Sequence, residues 1–296
     1  MLLSAPNFSA GRDIAAIAAL RSALDSRRGA RVLDRHSDPD HNRTVFTLAG
    51  ERRPLGEALV AGADAATAQI DMSRHRGLHP CIGALDVCPL IYLSDADRAA
   101  AQSNALSVAE ALGELGIPVF FYGELAVSED RRERAFFRNG GLEELGARMA
   151  NAELAPDAGP AVPHPTAGAT LITARPPLAA FNVELDTPDA LVAQRIAADL
   201  RESGGGLPGV RAIGLPLESG RAQVSTNVGD PIGVPLAMVV ERVRELAAAQ
   251  GARPVEAELV GLAPAAALEG YPDDVPIRGF DPEQHLIESR LPAASR

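Results

Sequence analysis

Four of the six histidines fall in two short windows of turn-forming sequence. The first runs His36-Ser37-Asp38-Pro39-Asp40-His41-Asn42-Arg43, and the second runs from Asp71 to Pro80 and holds Arg74, His75, Arg76 and His79. Imidazole titrates near neutrality, so a histidine in such a loop can take up and return a proton at physiological pH. His79 stands between Leu78 and Pro80. A residue before proline is pushed to extended geometry, which stiffens the backbone there. Asp86 follows on a predicted strand and can orient an imidazole. The alternative for any of these histidines is a hydrogen-bonded side chain with no chemistry.

Metal binding is a second use of the same residues. His75 and His79 have the i, i+4 spacing of zinc-binding helices. Arg76 sits where such a site carries its glutamate base, and Gly77 and Pro80 work against a continuing helix. His36, His41, Asp38 and Asp40 make a better donor set, but the same residues also make a solvated Asx-turn. The expectation is a site without metal.

Other polar residues stand out by position. Gln223, Ser225 and Asn227 alternate along a predicted strand and so share one face, which either binds a polar ligand or meets water. Asn182 interrupts the apolar run AAFNVEL and needs a partner if buried. Arg175 ends a predicted strand and can reach an anion. Cys81 and Cys88 are the two cysteines, with no CxxC pair, and are expected to pack.

Composition narrows the chemistry. The 296 residues suggest about two domains. All 28 basic residues are arginine, against 39 acidic ones, for a net charge of −11. That balance argues against nucleic acid or anionic lipid as the main partner, yet admits a small anion held by local arginines. With no lysine, a Schiff base, a pyridoxal-phosphate anchor and a Walker-type phosphate loop are excluded. The start MLLSAPNFSAGRD does not resemble a signal peptide, and no apolar run reaches the roughly 18 residues of a membrane span. The expectation is a cytoplasmic protein without membrane contact.

The elements that must position these residues follow from periodicity. Strands are predicted at Leu2–Ala5, Ala30–Arg35, Thr44–Ala49, Ala84–Leu93, Val119–Tyr122 and Ala169–Ala174. Helices are predicted at Asp13–Ser26, Leu55–Ile70 and Ser94–Gly116 (with Ser94 as cap), then at Arg131–Arg138 and Leu142–Ala150. A Pro/Gly cluster, PDAGPAVPHPTAG, marks a boundary or a binding loop. Beyond it the order is strand Leu178–Leu185, helix Thr187–Ser203 capped by Thr187, strands Val210–Leu217 and Ala222–Val228, helix Pro235–Gln250 and strand Val255–Leu262. This is the β-α-β-β-α-β order of the ferredoxin-like unit, and the first part repeats it with an added helix and strand. The fold class is therefore α+β, as two related subdomains divided at 1–167 and 168–296.

Taken in order, the segments APNFSAGRD, DPDHNRTVFTLAG, IDMSRHRGLHPCIGALDVCPL, GIPVFFYGELA, PDAGPAVPHPTAGAT, ARPPLAAFNVEL, AQVSTNVGD and AELVGLAP resemble the formiminotransferase family. The resemblance runs from residue 6 to about residue 265, nearly the whole chain. It implies two ferredoxin-like subdomains with a ligand groove between them, and a homodimer. It implies transfer of a formimino group from N-formimidoyl-L-glutamate to N5 of the co-substrate tetrahydrofolate, in histidine breakdown. The family's catalytic histidine, in its Gly-x-His-Pro motif, falls on His79, with Asp86 as its candidate partner. The folate segment falls on Gly159, Pro160, Ala161, Val162, Pro163, His164, Pro165, Thr166, Ala167 and Gly168. Candidate substrate contacts are Asn42, Arg43, Arg74, Arg175, Asn182, Gln223, Ser225 and Asn227, because arginine forks suit the carboxylates of glutamate and folate. The sequence departs from the family at Cys81, where an arginine is usual, at Ala167, where a large residue is common, and at Leu78. Two other readings stay open: a paralogue that uses another donor or only binds ligand, and a metal-dependent hydrolase.

Overall fold

Pro6 interrupts what would otherwise be a single first strand, because it cannot donate to the ladder. The computed structural model, which describes residues 1–291, accordingly shows two short pieces, β1 (Leu2–Ser4) and β2 (Asn7–Phe8). Both run between β4 (Arg43–Gly50) and β5 (Leu85–Ile91), antiparallel to each. β3 (Ala30–Asp38) pairs with β4 as a hairpin whose last register pair is Asp38 with Arg43. The sequence predicted a polar loop from His36 onward, but the strand continues through it to Asp38. Pairing with β4 supplies ladder hydrogen bonds that local polarity does not reveal.

Two further strands complete this seven-stranded sheet. β6 (Val119–Phe121) and β5 both run parallel to β7 (Thr170–Arg175), which lies between them. Every residue of β5 is buried, as expected for a strand covered on both faces. One cover is α1 (Ile14–Leu24), α2 (Arg52–Gln69) and α3 (Arg98–Glu114), which contribute Leu20, Leu24, Leu55, Leu59 and Leu112 to a shared core with Phe46 and Leu48. The other is α4 (Arg134–Arg138) and α5 (Gly141–Ala150), whose Phe137, Leu145 and Met149 pack on Phe120, Val87 and Leu171.

The second unit keeps the predicted order. It runs β8 (Ala179–Leu185), α6 (Ala190–Leu200), β9 (Val210–Pro216), β10 (Ala222–Val228), α7 (Leu236–Ala248) and β11 (Pro254–Val260). The sheet is antiparallel in the order β11-β8-β10-β9. Phe181, Val183 and Val224 face the helices and bury against Ile196, Val239 and Val243.

Compact units divide at Met1–Pro176 and Pro177–Arg296. The sequence reading placed the division at residue 167, which would have assigned Ala169–Ala174 to the second subdomain. That segment is β7, held by β5 and β6 in the first sheet, so the chain leaves the first unit only at the Pro176-Pro177 pair. Two caps also differ from expectation. α6 is capped by Asp189, whose carboxylate accepts from the Leu191 N–H, while Thr187 accepts from Asp189 one step outside. An ionised carboxylate is the stronger acceptor at a helix N-terminus. Ser94 opens a 3-10 turn over Asp95–Asp97, and α3 starts after it. No helix among the described residues is long and apolar enough to cross a membrane.

Candidate active site

The β3–β4 turn is clamped between two glycines. A Cβ on Gly77 would lie 2.3 Å from the carbonyl oxygen of His41, and one on Gly11 would lie 2.2 Å from that of Asp38. Only glycine lets three backbones meet this closely. Asn42, at the turn's corner, takes a left-handed φ of 49°, which asparagine tolerates better than most residues. Its Oδ1 accepts from the Gly11 N–H at 2.9 Å and its Nδ2 donates to the Arg76 carbonyl at 3.0 Å. Nδ2 also stands 3.4 Å from Nδ1 of His75. One side chain thus ties the turn to the end of β2 on one side and to the loop after α2 on the other.

These three segments, with the start of β5, enclose a small cavity of about 10 Å³ lined by Asn7, Phe8, Ser9, His41, Asn42, Arg43, His75, His79, Cys81 and Asp86. Small-molecule sites commonly offer roughly 300–1,000 Å³, whereas a cavity of this size holds about one water-sized group, so the body of a substrate must lie outside it. The His79 and His41 rings lie 6.0 Å apart between centroids. His41 is buried, receives support from Asp38 through its backbone N–H at 2.9 Å, and has Nδ1 3.4 Å from the Asp38 carboxylate.

His79 keeps part of its surface in solvent, and no hydrogen bond engages its ring among the described residues. Burial of the ring pushes its pKa well below the ordinary histidine value, and the cations of Arg43, Arg138 and Arg134, with His41, push it the same way. The imidazole is therefore neutral at pH 7, with a lone pair for a proton. His75 is lowered too, first by burial and then by Arg12 and Arg76, against the opposing pull of Asp86. Burial and Asp86 raise the Cys81 thiol to about 11, so it is protonated and uncharged at neutral pH.

Asp86 is 2% exposed and lines the pocket, but its carboxylate serves other groups. One oxygen accepts from the Ile82 N–H at 2.7 Å and the other pairs with the Arg138 guanidinium. The predicted role of orienting His79 directly is replaced by one of fixing the loop after it and holding a buried cation nearby. Arg138 was not foreseen. It stands 52 residues along the chain from Asp86 and reaches it only because α4 packs beneath β5. A single sequence carries no signal of that meeting.

The Gly159 to Gly168 segment is built against the same loop. The Met72 N–H donates to the Thr166 carbonyl at 2.7 Å and the Ala84 N–H to that of Ala167 at 2.8 Å. His164 turns inward, accepting from the Ala167 N–H at 3.0 Å through Nδ1, while Ala161 and Val162 are exposed. Of the predicted substrate contacts, Asn42 and Arg43 line the pocket. Arg74 is exposed on the loop, and Arg175 ends β7 with Nη1 donating to the Pro176 carbonyl at 2.8 Å. Asn182, Gln223, Ser225 and Asn227 belong to the second unit. Ser225 lies opposite Asn182 in the sheet, Asn182 donates to Glu258 at 2.9 Å, and Gln223 is buried with Oε1 lacking a hydrogen-bond partner. Among the described residues, no three His, Cys, Asp or Glu side chains come together as a metal-binding group.

Comparison with known proteins places both units in one family. Residues 1–175 match the formiminotransferase domain, N-terminal subdomain, and residues 180–270 match the formiminotransferase domain. The two matches meet where the compact units divide. The chain is 38% identical to a glutamate formimidoyltransferase of Streptococcus pyogenes over 97% of each chain. It is 37% identical to one of Thermoplasma acidophilum, over 98% of this chain and 97% of that one. It is 41% identical to the formimidoyltransferase-cyclodeaminase of Sus scrofa, over 89% of this chain but 50% of that longer protein. By sequence across both units, the chain belongs to the formiminotransferase family, a family of transferases.

Proposed function

We propose that the protein transfers the formimino group of N-formimidoyl-L-glutamate to N5 of tetrahydrofolate, with His79 as the proton carrier. The observation that carries this reading is a neutral imidazole, without a hydrogen-bond partner, facing a small pocket beside Arg43. N5 attacks the amidine carbon, and its proton passes to His79 as the tetrahedral intermediate forms. The imidazolium then returns a proton to the departing glutamate nitrogen as the C–N bond breaks. A histidine used in both directions contributes about 10²–10⁴-fold in rate, and holding both substrates together supplies more. Arg43 stabilises negative charge at the pocket, and Asp86 with Arg138 positions the loop. The Gly159–Gly168 segment meets the folate, supported by its backbone bonds to Met72 and Ala84. Asn182, Gln223, Ser225 and Asn227 contribute polar contacts to the substrates, and both units are ferredoxin-like in topology.

Cys81 supports a specific consequence. With a neutral thiol where the family usually carries arginine, the donor's carboxylates depend on the remaining arginines, Arg43 foremost.

The test is a coupled spectrophotometric assay with purified protein, formimidoylglutamate and tetrahydrofolate. Acidification converts the product to its methenyl form, which absorbs in the near ultraviolet. His79→Ala is expected to lower kcat at least about 10²-fold with little change in folate affinity. An unaltered rate in that variant refutes the assignment.

A further inference from the structure

Sharing no lining residue with the His79 pocket, α1, α2 and α3 leave a groove of about 770 Å³. Its walls are small and apolar, with Val60, Ala61 and Ala65 from α2 and Val108 and Ala111 from α3. Three polar features gather at one end. Asn104 of α3 is 3% exposed, and its Nδ2 has no hydrogen-bond partner. Leaving a buried amide donor unmet costs about 1–3 kcal/mol. The groove reaches Asn104 because α2 carries glycine there: a Cβ on Gly56 would lie 2.8 Å from Asn104 Oδ1.

The second feature lies one turn before Gly56. Arg52 and Arg27 both line the groove, and among the described residues neither has an ion-pair partner. Arg53, by contrast, is taken by Glu57 at 2.7 Å. Arg27 is brought to this end by its loop, since the Gly29 carbonyl accepts from the Glu51 N–H at 3.2 Å. The third feature is the N-terminus of α2 itself. This helix of 18 residues has no side-chain cap bond from Glu51 and no acidic residue in its first turn. Its two free leading N–H groups, those of Arg52 and Arg53 since Pro54 has none, favour an anion. Of the two acidic groove residues, Glu57 is paired with Arg53, and Asp64 lies about 18 Å further along the helix axis.

We propose that this groove binds a small molecule with an apolar body and a single anionic head, the head seated between Arg27, Arg52 and the start of α2 and hydrogen-bonded toward Asn104. A hydrophobic carboxylate has this chemistry. The body covers Val60, Ala61 and Val108, in keeping with sites that are mostly apolar with a few convergent polar groups. Nothing here depends on the transferase reading.

The test uses the full chain and 8-anilinonaphthalene-1-sulfonate as a fluorescent probe, displaced by 2-naphthoate or by its neutral analogue 2-naphthalenemethanol. Saturable binding is expected, reversed by naphthoate much better than by the alcohol. The double substitution Arg27→Ala/Arg52→Ala is expected to weaken probe binding about tenfold, the loss of a charge-assisted contact. Ala61→Trp fills the groove and is expected to abolish binding, with circular dichroism and transferase rate unchanged. Equal displacement by the neutral alcohol, or binding retained in Ala61→Trp, overturns the proposal. So does a change of sedimentation coefficient in Ala61→Trp, which makes the groove a contact between copies of the chain.

Discussion

His79 combines two properties that ordinarily oppose each other: a ring desolvated enough to stay neutral and a surface that is still partly open to solvent. Its folded-state pKa lies below the unfolded value, so the neutral form contributes stability that is full above about pH 6.5. That contribution is lost as pH falls toward the folded-state pKa, because the unfolded chain then binds a proton the folded one refuses. Two results are expected from titration. The acid limb of kcat/KM falls at a pH below that of an ordinary histidine. The acid-side loss of stability in denaturant melts is reduced in His79→Asn. An acid limb at or above pH 6.5 contradicts the neutral-base assignment. His79 was singled out by the family's Gly-x-His-Pro motif, since its local neighbours Leu78 and Pro80 indicate only a stiff backbone. Asp86 was placed in the right pocket for a different job, since the partner that claims it, Arg138, is named only by tertiary packing.

Elements explain why the pocket has its shape. Hydrophobic period recovered α2 and the fully buried β5 because packing repeats along them. It did not recover the end of β3, where His36, Ser37 and Asp38 are polar yet paired with Val45, Thr44 and Arg43. Nor did it reveal that the turn after β3 is held by Gly77 from another loop. Gly77→Ala is expected to cost about 1–3 kcal/mol, as overpacking against backbone does, and to lower kcat/KM by displacing His75 and His79. Urea melts and steady-state kinetics on one preparation check this. Retained stability with retained activity shows that the close approach to the His41 carbonyl is not needed.

At the scale of the molecule, the order of elements in the second unit was readable from Leu178 onward, and the chain's membership of a two-part family was readable from its motifs. The dividing point was not, because β7 has the apolar composition of either sheet. A segment ending at Pro176 contains every strand of the first sheet, whereas one ending at Ala167 lacks the strand between β5 and β6. Residues 1–176 are therefore expected to give a cooperative thermal transition by circular dichroism, and residues 1–167 to give none. Equal transitions from both fragments place the division where the sequence reading had it.

The insertion of β7 also sets an order in time. During synthesis the two strands it separates emerge first and have no shared edge, because their parallel neighbour is still untranslated. Contacts between residues so distant along the chain form slowly, and the turn from His164 to Gly168 that braces the His79 loop arrives with the same late stretch. A nascent chain of about 100–160 residues thus holds His79 and Asp86 and none of the late brace. The support of the His79 loop is acquired in translation well after the loop itself.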